Sequence, residues 1–313
     1  MRRAGSVLAL SAAVFGIASC GQQHPVAIPH IVALSQAATP HHSAVPVIVP
    51  VSPTEAPSVT RLTIQTIGFS EHSLADLSPA AALYATDRTG QVGVAVVVPS
   101  QGIVYTANGD APFPMASVAK VAIMVAVLDQ TMQAERDLTD EERELIKKMI
   151  VVSDNDAAQT LWDRLGGGDA VDRSLKALGL SGIQPYHGAE WGASVGSARA
   201  IALLLEKLAT GQILDESRRA FALDLMQQVA PDQSWGVTAG VPTERTDGTA
   251  LGIKDGWYLD ETGWWVNSVG IIPARGQQPE YMIAVLTRDQ PGLEYGIETI
   301  EWIASIIQAE LHL

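Results

Sequence analysis

Two runs rich in β-branched residues, 91-QVGVAVVV-98 and 103-IVYTAN-108, stand on either side of the turn-forming 99-PSQG-102. Valine and isoleucine suit strands, and Pro and Gly interrupt them, so the pair predicts a hairpin. A helix is predicted just before it, over 79–87. The pattern then changes to apolar residues at helical spacing, over 118–132, 140–152, 156–165 and 196–210. Strand patterns return in 250-ALGIKDGW-257, 264-WWVNSVGII-272 and 281-YMIAVLT-287, and an amphipathic helix closes the chain over 294–311. Two strands, a helical block, three strands and a closing helix predict an α+β fold. Its expected form is an antiparallel five-stranded sheet flanked on one face by the terminal helices, with the helical block as an all-helical lobe. No internal repeat is visible.

Ahead of residue 62 the pattern is different in kind. Arg2 and Arg3 precede a short apolar stretch, Val7 to Ile17, and 17-IASC-20 ends it at the only cysteine of the chain. A basic start, an apolar run too short to span a bilayer and small residues before a cysteine describe an export signal. The ending resembles a bacterial lipobox, which implies cleavage after residue 19 and a lipidated Cys20 holding the protein on the outer face of a membrane. From 20 to 61, seven prolines recur among Ser, Thr and Ala. Proline resists helix and sheet alike, so this segment reads as a semi-extended tether, and 62–313 as the folded domain. His24, His30, His41 and His42 fall in the tether at irregular spacing. They read as solvated linker residues rather than a metal-binding tail.

The formal net charge of −14 sets this chain apart from nucleic-acid binders, because an acidic surface repels phosphate. No zinc spacing, phosphate loop or nucleotide fingerprint appears, so neither metal nor cofactor is expected.

Three short motifs carry candidate chemistry. In 113-FPMASVAK-120, Ser117 and Lys120 lie three apart at the start of an apolar helix and share a face. A serine hydroxyl becomes a nucleophile when a neighbouring base takes its proton, and a lysine can serve if burial depresses its pKa. Taken alone, the pair equally describes a helix-start serine and a lysine reaching out of a core helix. The second motif, 153-SDN-155, sits in the break between two predicted helices, where such residues cap helix ends. Functionally, Ser153 would relay a proton and Asn155 would donate hydrogen bonds to substrate. The third, 254-KDG-256, ends a strand. By itself it is a hairpin edge with a lysine that discourages aggregation. Trp257, Trp264 and Trp265 follow it with Tyr258, either as hairpin packing or as the lining of a cleft or partner site.

In this order, S-x-x-K, S-D-N and K-x-G resemble the motif set of penicillin-recognising serine hydrolases. The flanks extend the likeness. The segment 113-FPMASVAK-120 is similar to the nucleophile segment of class A β-lactamases, 205-LEKLATGQIL-214 to a later helix, and 267–307 to the closing strands and final helix. The resemblance implies attack by Ser117 on a carbonyl to form an acyl-enzyme, with Lys120 as base. Ser153 and Lys254 would steer protons, and the backbone amides of Ser117 and Trp257 would form the oxyanion hole. The implied substrate is an amide or ester of the cell envelope, such as a peptidoglycan peptide.

The sequence departs from that family in three places. The stretch from Lys120 to Ser153 is short. The glutamate that activates the deacylating water has its candidate in Glu190, but Ala193 and Ser194 stand where Leu and Asn are expected, in a truncated loop. Asp255 replaces the hydroxyl of the K-T-G or K-S-G triplet. Beside the substrate it would repel a carboxylate by on the order of several kcal/mol unless strand alternation turns it away. Two classes of function therefore remain. One is a membrane-tethered serine hydrolase of the β-lactamase or D,D-peptidase type. The other is a catalytically degenerate member acting as an envelope binding or structural module.

Overall fold

The computed structural model describes residues 68–241 and 251–311. The export signal, Cys20 and the tether lie outside the described residues.

Strand β1 (Ser70–Ser73) leads into the one-turn helix α1 (Leu74–Leu77) and then α2 (Pro79–Asp87). Serine side chains start both helices. Ser73 and Asp76 form a reciprocal capping box, and Ser78 caps α2 ahead of Pro79. The predicted hairpin follows as β2 (Gln91–Val98) and β3 (Ile103–Ala107), its turn closed by Gly102 at φ 64°. The helical lobe contains α3 (Ala119–Gln133), α4 (Asp140–Val151), α5 (Asn155–Leu165) and α6 (Gly168–Ala177). It continues with α7 (Ala198–Ala209) and α8 (Glu216–Gln227). Three short strands, β4 (Phe113–Pro114), β5 (Ile183–Gln184) and β6 (Val195–Gly196), form a small sheet of their own in the order β4-β6-β5. The chain then completes the main sheet with β7 (Gly252–Asp260), β8 (Gly263–Ile272) and β9 (Tyr281–Gln290), and ends in α9 (Leu293–Glu310).

The main sheet runs β1-β3-β2-β9-β8-β7. The five expected strands pair antiparallel, and β1 adds a sixth at the far edge, parallel to β3. Both faces of the sheet are covered. On β2, Val94, Val96 and Val98 pack with Ile300, Ile303 and Ile307 of α9, whereas Ala95 and Val97 join the core of the helical lobe. On β9, Ile283 and Val285 go with the first layer, and Met282, Ala284 and Leu286 with the second. Burial on both sides explains why these strands read as continuous apolar runs rather than as an alternation. The centre of the lobe is α3, buried continuously from Ala119 to Asp129, with α4, α5, α6 and α8 against it.

β7 is the other edge of the sheet, so among the described residues its 254–257 segment has one side free of strand pairing. That edge faces the turn carrying Ser117.

Candidate active site

Ser117 lies in a single 3-10 turn, Ala116–Val118, directly ahead of α3. The turn is entered through Ala116 at φ +47°, a left-handed conformation uncommon for a residue with a side chain. Three contacts hold it there. The buried Asn267 of β8 donates from Nδ2 to the carbonyls of Pro114 (2.8 Å) and Met115 (3.2 Å). Its Oδ1 accepts the amide of Thr287 (2.9 Å), which fixes the side chain in place. From the other side, the amide of Met115 donates to the Ser194 carbonyl at 2.8 Å.

Gly256 makes the third contact. A Cβ at this position would fall 2.6 Å from the backbone nitrogen of Ser117 and 2.8 Å from that of Val118. Only a residue without a side chain lets β7 approach the Ser117 turn so closely. The amide of Trp257 belongs to the next residue along the same strand edge.

Lys120 and Lys254 converge on Ser153. Both lysines are fully buried, and each Nζ lies 3.0 Å from the Ser153 hydroxyl. Lys120 also donates to the Ser153 carbonyl and to Asn155 Oδ1 (2.8 Å), and Lys254 to the Asp255 carbonyl (2.8 Å). Ser153 holds this position in a left-handed backbone conformation, φ 55°. The capping reading of 153-SDN-155 is met as well, by the middle residue: Asp154 Oδ1 accepts the Ala157 amide at 2.7 Å and starts α5. Ser153 and Asn155, on either side of it, are left for Lys120.

The electrostatics follow from this packing. Burial, reinforced by the charge of Lys254 and opposed by Asp154, pushes the Lys120 amine down to about 7. Burial likewise lowers Lys254, partly offset by Asp255. A hydroxyl has one proton to donate and two lone pairs. With Lys254 charged and Lys120 neutral, Ser153 accepts from Lys254 and donates to Lys120, and Lys120 keeps two N–H groups for the Ser153 carbonyl and Asn155. With Lys120 charged, all three of its donors find acceptors. The N–H groups of Lys120 thus find acceptors in either protonation state.

The structure brings Ser117, Lys120, Ser153, Asn155, Lys254, Gly256 and Trp257 to one place. Ser117 itself sits half-buried, and its hydroxyl makes no hydrogen bond to Lys120. Asn155 spends its oxygen on Lys120, and its amide nitrogen donates to nothing among the described residues.

Two expected residues are placed elsewhere. The Asp255 carboxylate is not on the Ser117 side. Strand alternation sends its carboxylate through to the other face, where Oδ2 accepts the Trp235 amide (3.0 Å) opposite Ser268, and Oδ1 has no partner among the described residues. Burial raises this carboxyl above its ordinary value, and the neighbouring Ser268 hydroxyl and Trp235 amide act against that rise. The Asp255 carboxylate makes no hydrogen bond to Lys254, which donates to the Asp255 carbonyl instead. Glu190 is exposed and makes no side-chain hydrogen bond among the described residues. Its neighbour Trp191 takes the inward position, with Lys120 Nζ 4.8 Å from the centre of its ring.

Asn267, Trp191 and Trp235 were not singled out by the sequence motifs. Asn267 did leave a signal, a polar amide inside the apolar run 264-WWVNSVGII-272. Trp235 packs its ring 5.8 Å from that of Trp257, and Tyr258 pairs with Trp265 at 5.1 Å, so the aromatic cluster after β7 is partly hairpin packing. Among the described residues, no group of three or more His, Cys, Asp or Glu could hold a metal ion, and no helix is long and apolar enough to cross a membrane.

Comparison with known proteins agrees with this geometry. The model of the beta-lactamase enzyme family matches residues 77–143 and 141–311. A mycobacterial protein named "Putative lipoprotein LppW", from Mycobacterium tuberculosis and Mycobacterium bovis, is 24% identical over 247 residues, covering 75% of this chain and 73% of the relative. Among solved structures, the TLA-3 extended-spectrum beta-lactamase superposes with a TM-score of 0.67 at 21% identity, over 76% of this chain and 98% of that one. A beta-lactamase from Chitinophaga pinensis gives 0.65 at 22%, over 75% and 98%. A mutant of an ancestral Gram-negative class A enzyme gives 0.63 at 22%, over 76% and 99%. At these identities the structural likeness shows the fold. The family match spans nearly the whole described domain, and the chain belongs to the beta-lactamase enzyme family.

Proposed function

We propose that the domain is an active-serine hydrolase that forms an acyl-enzyme on an amide or ester of the cell envelope, a peptidoglycan peptide being the leading candidate. The observation that carries this reading is the Ser153 hydroxyl held at 3.0 Å from both buried lysines, beside a serine turn against which a strand edge closes through Gly256. Ser117 attacks the carbonyl carbon, and neutral Lys120 takes its proton after the short side-chain movement that joins the two. The amides of Ser117 and Trp257 receive the developing oxyanion. Ser153, recharged from Lys254, passes a proton to the leaving group, and Asn155 Nδ2 is free to hold the substrate. The signal peptide at 1–19, lipidation at Cys20 and the 20–61 tether place this chemistry at the outer face of the membrane, a reading supported by the name of the mycobacterial relative.

Glu190 is a poor candidate for the deacylation base in this arrangement, because its exposed side chain holds no link to Lys120 or Ser153. An acyl group on Ser117 therefore persists, and the protein binds penicillin more readily than it destroys it. The test is to incubate the mature domain with a fluorescent penicillin and an active-serine phosphonate, alongside Ser117→Ala. A covalent adduct absent from the variant is the expected result. No adduct with either probe, in a folded protein, sinks the proposal. It would leave the second reading, a degenerate binding module, which the missing Ser117–Lys120 hydrogen bond favours.

A further inference from the structure

The loop expected to supply a deacylation base instead brings an indole to the catalytic lysine, and the surrounding contacts hold it there. Trp191 begins a 3-10 turn, Trp191–Ala193, that packs against the Ala116–Val118 turn. The Ser194 hydroxyl donates to the Trp191 carbonyl at 2.6 Å and accepts the Tyr186 amide at 3.1 Å, and the Ser194 carbonyl takes the Met115 amide. One residue further on, β6 pairs with β4 through Phe113↔Gly196 and Pro114↔Val195. The Trp191 loop and the nucleophile loop are thus hydrogen-bonded to each other at successive residues. The indole itself is half-buried, its ring 4.8 Å from Lys120 Nζ, while Glu190 beside it points to solvent.

We propose that Trp191 is a positioning residue that acts through Lys120: its indole covers the amine and keeps water from Lys120 and from an acyl group on Ser117. This rests on the acyl-enzyme reading for its second half only, because the cover over Lys120 exists whether or not Ser117 reacts. Deacylation by water would require the Ser117 Oγ–acyl bond to break as water oxygen bonds to the acyl carbon, with one water proton going to a base and one returning to Ser117 Oγ. The indole has no basic atom and fills the ground beside the Lys120 amine. The groups that face Lys120 are Lys254 on β7, Ser153 and Asp154 before α5, Asn155 at its first position, and Trp191 itself.

Two opposing effects of the indole give the test a sign. Its face attracts an ammonium, which alone raises the lysine pKa. Its bulk excludes water, which lowers it. If the cover dominates, Trp191→Ala moves the titration of Lys120 up from about 7 toward an ordinary lysine, and Trp191→Phe stays near the parent protein. The readout is NMR of the mature domain with isotope-labelled lysine, assigned with Lys120→Met. The second readout is the lifetime of the fluorescent penicillin adduct at a pH above the raised Lys120 pKa, where the amine is neutral, expected to shorten about ten-fold or more in Trp191→Ala relative to the parent once water can reach that base. A Lys120 titration that is unchanged or moves down overturns the proposal, and so does an unchanged adduct lifetime. If the parent protein forms no adduct, it is the acyl-enzyme reading that fails, and the titration alone decides the role of Trp191. Thermal melts of both variants identify a fold defect, and Trp191→Phe supplies the folded comparison if Trp191→Ala is lost.

Discussion

Gly256→Ala is the most direct probe of how β7 meets the Ser117 turn. The added methyl would sit 2.6 Å from Ser117 N, 2.8 Å from Val118 N and 3.1 Å from Ser117 Cα. These are backbone atoms, so no rotamer change relieves the overlap, and the nearest contact is most of an ångström inside ordinary van der Waals distance. The turn cannot yield easily, because Asn267 and Ser194 pin the residues before it and α3 is buried behind it. The strand must therefore move outward by several tenths of an ångström or more. Overpacking of this kind costs about 1–3 kcal/mol. At this domain size that lowers the melting temperature by roughly 2–4 °C for each kcal/mol. The effect on rate is larger in proportion, since a misplacement near 1 Å can cost about a hundred-fold and the strand carries one of the two proposed oxyanion amides. The assay is the rate constant for fluorescent penicillin acylation, with a thermal melt in parallel. The expected result is a modest melt decrease and a loss of acylation rate on the order of a hundred-fold. A melt decrease with unchanged acylation refutes the role of the strand edge in the reaction. A variant unchanged in both refutes the close approach itself.

Acylation by the parent protein is expected to rise with pH through about 7, because Lys120 serves as base only when neutral, and Lys120→Met is expected to abolish it. A rate that stays flat from pH 6 to about 9 argues against Lys120 as the base. Asn267→Ala removes two donors to the 114–115 carbonyls and the acceptor of the Thr287 amide, and should cost about 2–4 kcal/mol in urea unfolding along with most of the acylation rate. Asp255→Asn tests the buried carboxyl. Burial raises its pKa, so between the ordinary carboxylate range and the raised value the folded protein keeps a proton that the unfolded chain has released. Folding stability from this group therefore falls as pH rises through that range, and the variant should gain on the parent between about pH 5 and pH 7.5. Parallel pH dependence of the two in urea melts would contradict this account.

The sequence by itself determined the fold and most of the chemical inventory. Strands β2, β8 and β9 are legible because burial on both faces writes them as apolar runs, and α3 because it is buried continuously from Ala119 to Asp129. Elements without such a record were invisible. β1 is SEHS, exposed throughout and held by pairing with β3, while α6 buries only Gly168, Val171 and Leu175. The three motifs could be found because spacing within a helix or strand is local. What only the tertiary structure decided is how they combine. Ser153 lies 33 residues from Lys120 and 101 from Lys254, and only packing brings one hydroxyl between two amines. Asp255 looked like an obstacle to substrate, and strand register turned it to the opposite face, against Trp235 and Ser268. Glu190 and Trp191 are neighbours in sequence, and the loop's hydrogen bonds to the Ser117 turn select which of them faces Lys120. Direction along a loop depends on contacts distant in sequence, and no local pattern of residue types records it.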